Sequence, residues 1–325
     1  MNESLDIQQR FIDTLKKTLP PNLNLATYLI NLLSLGKEAI YRRLRNEVKF
    51  TLEEIEIIAR DLDLSIDDIF INNETDKAIY ELIISPEGDS IKRYSIFLEN
   101  YTNILVRMKA SEDSNLTSVF NTLPFFFSFE YNRISKFQLY SFIFHVDKEE
   151  KLIPFSEFYI PDRVCELESF FLGQCSKIKN QTYILSRNIF KNLANDIVYL
   201  NNIGLITDKE KLILKQEILN SLLRMETLAA SGKLSKDSNF NLEIYVSDLD
   251  IETTYISLFS THAEFSYMFL YNMNTMSTKN PRVFKRQEAW IDSLKKLSTL
   301  ISKTCFRQRK EYFIEQREII NKLLV

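Results

Sequence analysis

The chain has 325 residues, is 45% hydrophobic and 26% charged, and carries a formal net charge of −3. That balance excludes a disordered or fibrous protein and leaves length for two or three domains. Only five glycines occur, and folds that cradle phosphates on glycine-rich loops need several placed together. Neither GxGxxG nor GxxxxGK followed by Ser or Thr is present.

Two histidines, His145 and His262, and three cysteines, Cys165, Cys175 and Cys305, are too few and too scattered for the usual zinc ligand sets. No metal and no cofactor is expected. An odd cysteine count without CxxC spacing suits a reducing compartment. The opening Met1-Asn-Glu-Ser-Leu-Asp has neither a basic region nor a long apolar run. The most apolar stretches, 119–129 and 137–146, fall short of the ~20 residues of a membrane helix and are divided by Glu130, Arg133 and Lys136. A cytoplasmic location without a membrane partner is the expectation.

Ile7, Phe11 and Leu15 lie at helical spacing, and Pro20-Pro21 stops that helix. Further helices are predicted at about 24–33, 37–45, 52–62 and 66–70. Thr51 precedes Glu54 in a capping box, and Ser65 precedes Asp68 in the acidic variant. The polar run Asn72 to Lys77 then marks a boundary. Beyond it, Ile91, Tyr94, Leu98, Tyr101, Leu105 and Met108 define one side of a long helix. Aromatics crowd 119–146, where Phe120, Phe125, Phe126, Phe127, Phe129, Tyr131, Phe137, Tyr140, Phe142 and Phe144 bury area or line an apolar pocket, burial being the simpler reading.

Ile189, Leu193, Ile197 and Leu200 mark another helix that Gly204 can end in a left-handed cap. Thr207 opens the next with Glu210 three residues on, and Gly232 stops it. Period-two alternation follows at Leu242-Ile244-Val246, Tyr255-Ser257-Phe259 and Phe265-Tyr267-Phe269-Tyr271, which predicts an antiparallel meander of three strands. Trp290, Leu294, Leu297 and Ile301 return to helical spacing. The charged run Arg307-Gln-Arg-Lys-Glu reads as a solvated helix side.

The most informative stretch is 29–45. A DNA-reading helix-turn-helix needs apolar residues where its helices meet, here Leu29, Leu33, Leu35, Ile40 and Leu44, with polar residues outward on the second helix. Lys37, Glu38, Tyr41 and Arg42 would project from its first turns towards base edges. Arg43, Arg45 and Lys49 would lie nearer the phosphates. Residues 37–49 hold five cations and two anions, net +3, whereas 51–74 hold one cation and eight anions, net −7. The acidic helices must therefore face away from DNA, and a focused basic helix suffices for binding even in an acidic chain.

The run Ala39-Ile40-Tyr41-Arg42-Arg43-Leu44-Arg45-Asn46-Glu47, with Phe50-Thr51-Leu52-Glu53-Glu54, Ala59-Arg60-Asp61-Leu62 and Leu64-Ser65-Ile66-Asp67-Asp68-Ile69-Phe70, resembles phage-repressor-like (XRE-type) helix-turn-helix transcriptional regulators. It looks most like a bacterial subgroup with a long, mainly helical C-terminal region. Pro124-Phe125-Phe126, Ser298 to Ser302 and Arg307-Gln308-Arg309 fit that subgroup more loosely, and the specific part covers about residues 22 to 72. The resemblance implies sequence-specific binding of double-stranded DNA, usually as a dimer, with Gly36, Lys37, Glu38, Tyr41 and Arg42 as the readers. Ile30, Ser34 and Gly36 stand where the family prefers a small residue, the turn glycine and a capping Ser or Thr.

The expectation is thus a mainly α protein. A five-helix helix-turn-helix domain occupies 1–72, a linker 73–77, and an α-rich (α+β) dimerisation and sensor domain with a small antiparallel sheet 78–325, whose effector is an unidentified small molecule or protein. A second reading stays open: a protein-interaction or ligand-binding module whose bundle no longer binds DNA. No carboxylate pairs with a histidine in sequence as a hydrolase requires, so no catalytic residue is assigned and an enzyme is not expected. Cys305, beside Phe306 and Arg307, reads as a packing cysteine before a redox-responsive one.

Overall fold

The computed structural model describes residues 6–19, 23–62, 64, 66, 78–82, 89–108, 113–146, 153–233, 240–261, 263–270 and 274–325, with the backbone alone for Lys17, His145, Val146 and Ala263. The chain divides into two compact units, Met1–Ile79 and Tyr80–Val325.

The first unit contains α1 (Ile7–Thr18), α2 (Leu25–Leu33), α3 (Lys37–Leu44) and α4 (Leu52–Asp61). Phe11, Ile12, Leu15, Leu29, Ile40 and Ile58 are each almost wholly removed from solvent and form one core. Burying side chains of this size contributes about 1.5–3 kcal/mol each, which is why such short helices hold together. The fifth helix read at 66–70 lies outside the described residues except for Ile66, as does the Ser65–Asp68 cap.

In the second unit the elements run β1 (Glu81–Leu82), α5 (Ser90–Met108), β2 (Asn115–Phe120), α6 (Phe125–Ser128), α7 (Asn132–Val146), α8 (Asp162–Cys175), β3 (Asn180–Ser186), α9 (Ile189–Asn202), α10 (Asp208–Ser231), β4 (Asn241–Ser247), β5 (Tyr255–Ser260), β6 (Ala263–Leu270), β7 (Asn274–Thr278), α11 (Pro281–Lys296), β8 (Thr299–Leu300) and α12 (Phe306–Leu323). The small antiparallel sheet is overturned. The eight strands form one mixed sheet in the order β1-β7-β6-β5-β2-β3-β4-β8. β2, β3 and β4 are parallel neighbours, in register Val119 to Ile184 to Tyr245, and all other pairings are antiparallel. Helical crossovers join the parallel strands, as parallel pairing requires.

The three-strand meander is corrected in detail as well. β4 does not pair with β5; it lies between β3 and β8, whereas β5 crosses back to pair with β2. Leu297 and Ile301 do not continue the helix. α11 ends at Lys296, Leu297 is exposed, and Thr299 and Leu300 turn into an edge strand against Tyr245 and Val246.

The sheet is covered on both faces. Leu116, Phe120, Tyr183, Leu185, Ile244 and Leu258 point into the main core built with α5 to α10 and α12. Val119 and Ile184 point the other way, onto Ile291 and Leu294 of α11. The chain's caps are local: Thr207 and Glu210 make a full capping box on α10, and Gly204, at φ 80°, ends α9 with Leu205 N–H reaching the Leu200 carbonyl at 3.0 Å. In the charged run of α12 the side chain of Arg309 is buried, donating from Nη1 to the carbonyls of Ile301 (3.2 Å) and Lys303 (2.8 Å). That run is therefore not a uniformly solvated side. Among the described residues no helix is long and apolar enough to cross a membrane.

Candidate nucleic-acid interface

The candidate interface is built on α2, α3 and the turn between them. Asn24 caps α2 by accepting the Thr27 N–H at 3.1 Å. Ser34 then adopts a left-handed conformation, φ 54° and ψ 35°, and reverses the chain. A residue with a Cβ resists that region by about 1–2 kcal/mol, and this is the position where the resembled family carries glycine. Gly36 is the N-cap of α3, in extended backbone and with no side chain to satisfy the first N–H groups. Ile30 is half-buried and packs against the core of the unit.

Beneath α3, Ile40 and Leu29 are fully buried, flanked by half-buried Leu33, Leu35, Tyr41 and Leu44. The far end of α3 closes in a Schellman motif around Asn46, at φ 63°. The Glu47 N–H reaches the Arg42 carbonyl and the Asn46 N–H the Arg43 carbonyl, both at 2.9 Å. Gln8 of α1 fixes the same corner. Its amide donates to the carbonyls of Arg43 (3.1 Å) and Val48 (2.8 Å) and accepts the Phe50 N–H at 3.0 Å. One buried side chain thus satisfies three backbone groups that would otherwise be costly to bury. Sequence reasoning missed it, since a glutamine on an amphipathic helix looks like any polar residue.

Lys37, Glu38 and Arg42 are exposed on the outer side of α3. Tyr41 is half-buried, with the Lys37 ammonium 5.8 Å from its ring centroid. Among the described residues Lys37 has no carboxylate within ion-pair distance. Arg42 lies 3.7 Å from Glu47. Arg45 is bound by Glu47 (2.7 Å) and Glu38 (3.1 Å); these contacts push its guanidinium pKa up, with Glu47 the larger cause, and hold the Glu47 carboxyl below its ordinary range. Lys49 is hydrogen-bonded to Asp6, whose carboxyl it holds low with help from Asn46.

Arg43, the third phosphate candidate, is turned into the bundle and paired with Glu54 of α4, each side chain only 14% exposed. So the structure brings Gly36, Lys37, Glu38, Tyr41 and Arg42 onto one presenting helix, places Arg45 and Lys49 at its exposed end, and withdraws Arg43. Counting Asp6 and Glu54 with residues 37–49 reduces the local charge from +3 to +1. The exposed pairs are worth only about 0–1 kcal/mol each, so a phosphate can displace them.

Among the described residues no group of three or more His, Cys, Asp or Glu side chains is placed to hold a metal ion. The side chain of His145 and the whole of His262 lie outside the described residues. Comparison with family models, with curated proteins and with solved structures returns no match for the chain.

Proposed function

We propose that the first unit binds double-stranded DNA as the helix-turn-helix of a transcriptional regulator, α3 entering the major groove. Lys37, Glu38, Tyr41 and Arg42, with the backbone at Gly36, read base edges, and Arg45 and Lys49 exchange their carboxylate partners for phosphates. The observation that carries this reading is the rigid presentation of α3: a buried underside at Ile40, a closed Schellman end, and an exposed, mostly cationic outer side. The resemblance to phage-repressor-like regulators supports it. A single short helix reads only a few base pairs, each worth about 1–3 kcal/mol, so selectivity over a genome calls for a homodimer on two half-sites about one helical turn apart. The three cysteines are unpaired, which supports a cytoplasmic location.

Fluorescence anisotropy with mixed genomic fragments, followed by selection of the tightest-bound sequences, tests the proposal. Arg42→Ala should lose preference for the selected sequence over random DNA. Arg45→Ala should weaken both alike and lower the salt slope by about one. Unchanged affinity in both variants would refute the assignment.

A second reading is favoured by one observation, the pairing of Arg42, Arg43, Arg45 and Lys49 with nearby carboxylates. A bundle neutralised from within suits contact with a protein or small ligand. Its signature is the absence of salt-sensitive DNA binding in the same titration.

A further inference from the structure

α11 lies on the face of the sheet opposite the main core, with Phe284, Ile291 and Leu294 buried on its inner side. Polar contacts stop the helix from rolling. Gln287 Nε2 donates to the Ile256 carbonyl at 3.1 Å and to Ser257 Oγ at 2.9 Å, and Lys295 Nζ donates to Glu243 Oε2 at 2.9 Å. The side that α11 turns to solvent is therefore fixed by the sheet beneath it.

That side is cationic. Residues 279–297 hold six cations and two anions, net +4, in a chain whose net charge is −3. Lys279, Lys285, Arg286 and Lys296 are exposed, and among the described residues none of the four has a carboxylate within ion-pair distance. Exposed cations elsewhere do find carboxylates, as Arg163 finds Glu99 and Arg307 finds Glu311. Of the two anions in the segment, Glu288 is half-buried, and Asp292 is exposed at the margin of the basic side.

An aromatic ring stands among these charges. Arg286, Trp290, Ser293 and Leu297 follow one another at helical spacing as a single stripe, with Lys285, Ala289 and Lys296 in the next. The Trp290 indole leans on the Tyr255 ring, centroids 4.7 Å apart, and the residue is still 43% exposed. It is held on one side and open on the other.

We propose that the outer side of α11 binds a single-stranded polynucleotide, Lys279, Lys285, Arg286 and Lys296 meeting backbone phosphates and Trp290 stacking on a base. Cations that track a backbone beside an aromatic platform are what sequence-tolerant binding of single strands requires. From Lys285 to Lys296 the helix runs about 17 Å, room for several phosphates. A lipid surface is disfavoured, because the apolar side of α11 is already buried against the sheet and cannot insert. An acidic peptide offers the charge but no base to stack, and a duplex keeps its bases stacked on one another. The site is confined to the second unit and does not depend on the DNA-binding reading of the first.

Trp290 is the only tryptophan of the chain, so its emission reports the contact. Titrating the full chain at low salt with a twenty-residue oligothymidylate should quench Trp290, and added salt should reverse the quenching. Poly-glutamate at equal charge should neither quench nor displace the oligonucleotide. The triple variant Lys285→Ala, Arg286→Ala, Lys296→Ala, which changes exposed side chains alone, should keep its unfolding midpoint and lower the salt slope by about two. By anisotropy of the labelled oligonucleotide, Trp290→Ala should bind at least about fivefold more weakly, and Trp290→Phe, which keeps a ring, should recover most of that loss. Arg42→Ala with Arg45→Ala, which disables the first unit's contacts, should leave the quenching unchanged. The proposal is overturned if the oligonucleotide leaves Trp290 emission unaltered, if the triple variant binds it like the parent, or if poly-glutamate displaces it.

Discussion

Arg43 and Glu54 meet through both ends of their forks, Nε to Oε2 and Nη2 to Oε1, each at 2.8 Å, and Glu54 Oε2 also accepts the Thr51 N–H at 3.0 Å. A single carboxylate therefore completes the capping box of α4 and fastens α4 to α3. Sheltered as it is, the pair is less screened by solvent than the exposed ion pairs around Arg45 and Lys49.

Replacing Glu54 by Ala should remove both roles. The expected loss is about 2–4 kcal/mol of local stability, compared with about 1 kcal/mol for Thr51→Ala, which removes only the cap. Hydrogen exchange resolved over residues 37–61 reads this directly. Equal losses in the two variants would mean that the Arg43 contact contributes nothing.

The turn before α3 holds two residues that a better-capped version would not use. Ser34→Gly should stabilise α2 and α3 by about 1 kcal/mol, because the left-handed backbone no longer carries a Cβ. Gly36→Ser should add a few tenths of a kcal/mol, since the hydroxyl can accept an N–H of the first turn and a Cβ there meets nothing within 4 Å. Slower amide exchange in 25–44 is the expected result for each, and faster exchange in either variant would contradict the geometry described.

Glu168 of α8 is buried, accepting Tyr94 Oη at 2.8 Å and Ser135 Oγ at 2.6 Å on one carboxylate oxygen. Burial pushes its pKa up, and the two hydroxyls only partly oppose this. At low pH the group is protonated in both folded and unfolded chains. As pH rises through the ordinary carboxylate range the unfolded chain ionises first, so this residue's contribution to stability falls until the raised native pKa is passed. Glu168→Gln should remove that fall. Urea midpoints of the second unit, followed by Trp290 fluorescence from pH 4 upwards, should converge at the acid end and separate in favour of the variant as pH rises.

What the sequence made legible was local. The capping boxes of α4 and α10, the left-handed glycine after α9, and the buried stripe of α5 all rest on residues within one or two turns of each other. The parallel centre of the sheet was not legible, for a reason visible in β2 and β3. Both are covered on two faces, so Val119 and Phe120, or Ile184 and Leu185, are adjacent and all buried, and the alternation that marks a half-exposed strand is lost. Buried polar residues, Ser118 and Gln181, break even the apolar run. β4 did alternate and was visible, but alternation says nothing about which strand lies beside it. At the candidate interface the cations were legible as charges. Their partners were not, because Asp6 and Glu54 lie outside the basic stretch and reach it only through the folded bundle.

The return of β5 to the edge of β2 has a consequence for how the protein is made. As the chain leaves the ribosome, β2, β3 and β4 can assemble in turn with their intervening helices, but the other edge of β2 must wait for Tyr255, more than a hundred residues after its partner Val119. Until the β5–β7 hairpins arrive, a strand rich in buried side chains presents unpaired backbone to solvent, where edge-to-edge mispairing starts. Truncations that end between β4 and β5 should therefore be the ones that aggregate.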